Sequence, residues 1–129
     1  MKSSPILDTS LLQGRWFQLW HYIVSHGQLL IRSPIGSDET TNIDISFDAA
    51  IYVDVPRHLG EITLDTPTDE ERARLRARTN EFYNNYLTTV IVSGSNRFYV
   101  VSSWISIEEN QLELFETPYG NVGWLPRGL

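Results

Sequence analysis

The segment 15–33, RWFQLWHYIVSHGQLLIRS, contributes most to the fold prediction. It is rich in aromatic and β-branched residues and has a glycine at position 27, a composition typical of a hairpin that turns at His26-Gly27. A two-residue turn pairs His21 with Arg32, and each face receives its own set of side chains. One face then holds Trp20, Tyr22, Val24, Leu29 and Ile31, and the other holds His21, Ile23, Leu30 and Arg32. Both faces carry large apolar groups, so we expect both to be at least partly covered.

The segment 42–55, NIDISFDAAIYVDV, predicts a second hairpin. Apolar and polar residues alternate on either side of 48–50, as they do in half-buried strands. Only a three-residue loop keeps both apolar sets on one face, because a one-residue slip inverts every side chain. This register places Asp44 opposite Asp54, beside Tyr52 and Ser46. A further short strand is predicted at 61–64.

The segment 66–71, TPTDEE, carries the signals of a helix start. Thr68 is a candidate N-cap, Glu71 completes a capping box, and the acidic residues suit the positive end of the helix dipole. We therefore expect a helix over about 68–86. The residues that recur at helical spacing and predict its buried stripe are Leu75, Thr79, Phe82 and Tyr86. Its four arginines at 72, 74, 76 and 78 predict a solvated face with internal ion pairs.

The rest of the chain predicts further strands and two irregular ends. Residues 88–93 and 97–107 flank the Gly94-Ser95-Asn96 turn and predict a third hairpin, and 111–116 predicts a final strand. The tail 117–129 is rich in proline and glycine, so we expect it to be irregular and pinned to the body by Trp124 and Leu125. We expect residues 1–12 to be partly frayed.

Length and composition indicate one domain over 1–129. A chain of 129 residues buries enough surface to fold without a disulfide or a metal. It has no cysteine, which excludes a disulfide scaffold, an iron–sulfur cluster and a cysteine nucleophile. About eight strands, one helix and short turns predict an α+β fold with a mainly antiparallel sheet. That sheet is expected to be either strongly curved or a partly closed barrel, with the helix on one face or across one end.

The charge balance indicates which partners to expect. The chain has 16 acidic and 10 basic residues, a net charge of -6, and its single lysine is Lys2. Binding to nucleic acid depends mainly on Lys and Arg at phosphates, so we expect no nucleic-acid partner and no membrane partner. An electrostatic partner is expected to be basic. With no signal peptide and no apolar stretch of membrane-spanning length, we expect a cytoplasmic location.

Two side-chain groups are candidate ligand-binding sites. His21 facing Arg32 can hold an anion such as a carboxylate or phosphate. Asp44 opposite Asp54, beside Tyr52, is a carboxylate pair that needs a cation, an arginine or a basic partner to offset its repulsion. The motifs of P-loop, serine-hydrolase and dinucleotide-binding enzymes are missing. We therefore assign no catalytic residue, no metal and no cofactor.

The number of aromatic residues in the strands exceeds what one helix is expected to cover. The remaining cover is expected to be another protein or a second copy of the chain, which makes a homodimer possible. We therefore expect a non-enzymatic protein-interaction module, an adaptor or an immunity-like inhibitor, that binds through an exposed sheet face or edge. The alternative is a small ligand-binding or catalytic barrel with His21 and Arg32 at an anion-binding pocket.

Overall fold

The computed structural model describes residues 5–121, apart from the side chains of residues 80–82 and 121. In chain order the strands are β1 (Phe17–Ile23), β2 (Gln28–Ser33), β3 (Asn42–Asp48), β4 (Tyr52–Asp54), β5 (His58–Gly60), β6 (Thr63–Asp65), β7 (Leu87–Ser93), β8 (Asn96–Ser102), β9 (Trp104–Asn110), β10 (Glu116–Thr117) and β11 (Gly120–Asn121). The helix α1 spans Asp69–Thr79, and 3-10 turns span Thr9–Leu12, Val24–His26 and Asn80–Asn85.

The strands form two main antiparallel sheets and one small hairpin. The first sheet has five strands in the order β5-β1-β2-β3-β9, the second has four in the order β4-β8-β7-β6, and β10 pairs with β11. The prediction of an antiparallel α+β chain is therefore confirmed. The prediction of a strongly curved sheet or a partly closed barrel is not confirmed, since no sheet within residues 5–121 is closed or strongly curled.

The two sheets share one apolar core. Alternate residues of each strand point to opposite faces, so each sheet directs one set of apolar side chains toward the other sheet. The first sheet contributes Leu29, Ile31, Ile43, Ile45 and Phe47, and the second contributes Ile91 and Val100. Leu12 also enters this cluster, with Leu7 and Leu11 packed against it, so part of the segment expected to fray lies against the core.

The helix packs on the outer face of the four-stranded sheet. Leu75 of α1 and Tyr83 lie in a second cluster with Val90, Tyr99 and Val101 of β7 and β8. The predicted capping box is present, because Thr68 Oγ1 accepts from Glu71 N at 3.1 Å and Glu71 Oε1 accepts from Thr68 N at 2.8 Å. The α-helix ends at Thr79 and continues as a 3-10 turn, so the predicted start is right and the last turns differ. The Phe82 side chain lies outside the described residues.

The first hairpin is present with a different register. Four residues, Val24–Gly27, connect β1 to β2, and His21 pairs with Leu30, whereas Arg32 pairs with Gln18. The expected His21–Arg32 pairing is therefore wrong. The turn is set by a distant contact, since Gly27 has φ 62° and a Cβ there would lie 2.7 Å from Ala50 N. A bulge between Leu19 and His21 adds a second shift.

The predicted hairpin at 42–55 is wrong, because β3 and β4 belong to different sheets. The chain crosses between the sheets at Ala49-Ala50, and it crosses back at Ser103, within the stretch expected to be one strand. The two crossings are joined by hydrogen bonds from Ser103 N to Asp48 O at 2.9 Å and from Ile51 N to Val101 O at 2.8 Å. The predicted hairpin of β7 and β8 is present, but its turn has two residues, because Asn96 pairs with Ser93 and begins β8.

Candidate functional site

A buried ion pair lies on the outer face of the five-stranded sheet. Arg32 of β2 and Asp44 of β3 are opposite each other in the register and are 1% and 0% exposed. Arg32 Nε donates to Asp44 Oδ1 at 2.6 Å, and Arg32 Nη2 donates to Asp44 Oδ2 at 2.9 Å. The pair is bidentate, the geometry that holds a guanidinium and a carboxylate most firmly. Asp44 therefore has an arginine as its compensating cation.

Two asparagines connect this ion pair to the end of β9. Asn110 Nδ2 donates to Asp44 Oδ2 at 2.9 Å and to Glu108 Oε2 at 3.0 Å. Asn42 Nδ2 donates to Asn110 Oδ1 at 2.9 Å and to the carbonyl of Leu112 at 2.8 Å. Asp44 Oδ2 therefore accepts from Asn110 as well as from Arg32, which helps to compensate the burial of its charge.

The segment 111–121, called the strap below, lies across this outer face. Its carbonyls are held from the sheet: Trp20 Nε1 donates to Leu114 O at 3.3 Å, and Arg32 Nη2 donates to Glu116 O at 2.9 Å. The Tyr119 hydroxyl donates to Phe47 O at 2.5 Å. Burial and the nearby charge of Asp48 raise the pKa of Tyr119. The strap is therefore a cover made by the chain itself, where the sequence had suggested a partner.

The outer surface of the strap combines exposed apolar side chains with carboxylates. Leu114 is 59% exposed and Phe115 is 44% exposed, and Glu113 and Glu116 flank them. Residues 104–121 contain four acidic residues and no basic residue. No ion pair among the described residues uses Glu108, Glu113 or Glu116. The strap thus presents an apolar centre with uncompensated negative charge beside it.

The predicted anion site at His21 and Arg32 is not assembled as expected. Both residues are buried on the outer face of the same sheet, but the guanidinium of Arg32 is held by Asp44 and lies 5.4 Å from the centre of the Trp20 ring. Burial lowers the pKa of His21 below its usual value, which favours the neutral imidazole. Neither charge is available to an anion in this arrangement.

The predicted carboxylate pair is separated by the two-sheet architecture. Asp44 lies in the first sheet, while Asp54 lies in β4 of the second sheet, exposed and opposite Tyr99. Tyr52 is on the helix side, where its hydroxyl accepts from Arg78 Nη1 at 2.8 Å. These three residues therefore form no common site.

A second polar cluster, unforeseen from the sequence, fixes the start of α1 to β8. Arg97 Nε donates to Glu71 Oε2 at 2.9 Å, Arg97 Nη1 donates to Asp65 Oδ2 at 2.8 Å, and the Tyr99 hydroxyl donates to Glu71. The Arg97 guanidinium holds the pKa of Glu71 well below its usual range. The capping box identified Glu71 as a helix-start residue, but its partner 26 residues later has no local signal.

The surface also carries grooves, and none of three prominent ones contains His21 or Arg32. One of about 600 Å³ lies between residues 9–14 and 61–64. Another of about 510 Å³ lies beside Trp16 and His58. Within the described residues, no group of three or more His, Asp or Glu side chains is arranged to hold a metal ion. None of the described helices has the length and apolar character to cross a membrane.

Comparison of the chain with protein-family models, with curated proteins and with solved structures finds no match. The function is therefore inferred from the chemistry of the described surfaces. The sequence predicts a strand at 111–116, whereas only Glu116 of this segment lies in a strand, so the strap surface is not predicted. The adjacent apolar pair Leu114-Phe115 was the available signal, since a half-buried strand alternates apolar with polar residues.

Proposed function

We propose that the protein is a non-enzymatic interaction module that binds a basic protein through the outer surface of the strap. The observation that carries the proposal is the exposed pair Leu114-Phe115, flanked by Glu113 and Glu116 with no described cation to neutralise them. Apolar anchors surrounded by a polar rim are the usual composition of a protein-binding surface. The negative charge of the surface favours a partner of positive charge.

The way the strap is held supports this role. Its inner side is fixed by side chains donating to its carbonyls, so Leu114 and Phe115 lie on an ordered segment. A pre-ordered surface loses less conformational entropy on binding than a mobile loop. The net charge of -6 adds long-range attraction for a basic partner, which accelerates association at low salt. An adaptor or an immunity-like inhibitor of a basic protein would use these properties.

The alternative of a ligand-binding or catalytic barrel has less support. It required His21 and Arg32 to converge on an anion, and the charge of Arg32 is already matched by Asp44 at 2.6 Å. The partner is therefore expected to contact the strap rather than the face that the strap covers.

The test is binding of a cationic amphipathic peptide, rich in arginine and leucine, measured by calorimetry at two salt concentrations. We expect binding that weakens with salt, and Leu114→Lys or Glu113→Lys should weaken it about tenfold or more. Glu61→Lys, which makes the same charge change on an exposed residue outside the strap, is the matched control. A peptide of the same charge without leucine should bind more weakly.

Binding that is unchanged in both strap variants, or equally weakened by Glu61→Lys, would contradict the proposal. The same variants can then be used to test the binding of natural partner proteins. A basic protein captured by the wild-type chain and by Glu61→Lys, but lost with Leu114→Lys, would identify the partner class.

A further inference from the structure

The outer edge of β1 is only partly paired. The short strand β5 pairs with Phe17 and Gln18, and Leu19 N donates to Arg57 O at 2.8 Å. From Trp20 to Ile23 this side of β1 has no strand partner within residues 5–121. An unpaired edge presents free backbone N–H and C=O groups, which are a template for pairing with another strand.

The composition of this edge favours pairing. The segment 19–24, LWHYIV, contains no Asp, Glu, Lys, Arg or Pro, the residues that commonly protect an edge strand. Its aromatic and β-branched residues are the types most favourable in strands. A bulge at Trp20 lies at the start of the unpaired stretch and leaves Tyr22 and Ile23 beyond it.

Exposed apolar side chains lie at the same end of the sheet. Val24 is 75% exposed, and Tyr22 and Ile51 are also exposed. The loops that carry Val24 and Ile51 are joined, because Ala50 N donates to Gly27 O at 2.9 Å. A strand added along β1 would therefore extend the hydrogen-bonded ladder and lie beside the exposed side chains of Tyr22 and Val24.

We infer that the occupant of this edge is a second copy of the chain, paired antiparallel with β1 against β1 about a two-fold axis. Such a contact is self-complementary, since each copy supplies the same free edge and the same apolar neighbours. The absence of charge is the second reason: the chain has a net charge of -6, and an uncharged segment is where two copies approach with least repulsion. The two five-stranded sheets then become one continuous sheet, and the straps stay free for other partners.

The test is the molar mass in solution, measured by sedimentation and light scattering over a wide range of concentrations. We expect a concentration-dependent dimer, and Val24→Lys should raise its dissociation constant about tenfold or more. Leu114→Lys replaces a comparably exposed apolar residue on the strap and should leave the dimer constant within about twofold. Unchanged far-UV circular dichroism and melting temperature establish that both variants are folded.

Amide hydrogen exchange locates the contact. Protection of the amides at 20–23 should rise with protein concentration, whereas β4, another edge strand, should show no such rise. A monomer at every concentration would overturn the inference. A dimer lost in Leu114→Lys and kept in Val24→Lys would also overturn it. Since the peptide test uses the strap, the two proposals can fail independently.

Discussion

The two outer faces of the molecule are covered in different ways. On the four-stranded sheet, α1 contributes Leu75 to an apolar cluster, and Arg74 lies 5.0 Å from the centre of the Tyr99 ring. On the five-stranded sheet, the strap is held mainly by hydrogen bonds to its carbonyls, above the buried pair of Arg32 and Asp44. A helix satisfies its own backbone, whereas an irregular segment needs donors from the sheet beneath it. The polar residues inside the first sheet therefore support the cover above them.

The largest expected effect separates the two aspartates that the sequence had placed together. Asp44→Asn leaves the Arg32 guanidinium buried without its counter-charge and should destabilise the fold by about 3–5 kcal/mol. Asp54→Asn changes an exposed side chain and should stay within about 0.5 kcal/mol of wild type. Urea unfolding of both variants measures the difference. Equal effects would mean that Asp44 and Arg32 are not paired as described.

The loss of folding stability at low pH should depend on Glu71, at the start of α1. The pKa of Glu71 is lowered in the folded state, so its contribution is present above the ordinary value of 4.5 and is lost as the pH falls through and below it. Glu71→Gln should cost about 1–2 kcal/mol at neutral pH, because hydrogen bonds to Arg97 and Tyr99 are weakened. The gap between variant and wild type should narrow in acid. Thermal unfolding at several pH values tests this, and a constant gap would argue against it.

The loss of folding stability at high pH should depend on Tyr119, in the strap. The pKa of Tyr119 is raised, so its contribution is present below the ordinary value of 10.0 and declines as the pH rises above it. Tyr119→Phe should lose about 1 kcal/mol near neutral pH with its bond to Phe47 O. Above about pH 10 the phenylalanine variant should lose less stability than wild type, because it has no phenol to ionise. Parallel losses in both proteins would contradict this account.

The parts of the fold that were predictable have local signals. The capping box at Thr68 and Glu71 located the helix start, and the Gly94 turn located the hairpin of β7 and β8. The first hairpin was found with the wrong register because its turn is fixed by contact with Ala50, far away in the sequence. Alternation in 42–55 correctly marked strands but could not reveal that the chain changes sheets at Ala49.

The candidate site was less predictable for the same reason. The sequence predicts both Arg32 and Asp44 as site residues, each with the wrong partner, since pairing across strands depends on a register that local sequence does not determine. The strap was hidden because its bonds are made to carbonyls, which every residue has. The apolar residues on both faces of segment 15–33 did indicate that the outer face of the first sheet has to be covered as well as its inner face. It did not indicate that the cover is the strap.

The most direct measurement of the central claim is an amide-exchange footprint of the cationic amphipathic peptide on the protein. Binding at the strap predicts slower exchange at 113–116, with the amides of α1 at Asp69–Thr79 unchanged. Protection confined to α1, or spread evenly over both outer faces, would contradict the assignment of the strap as the binding surface.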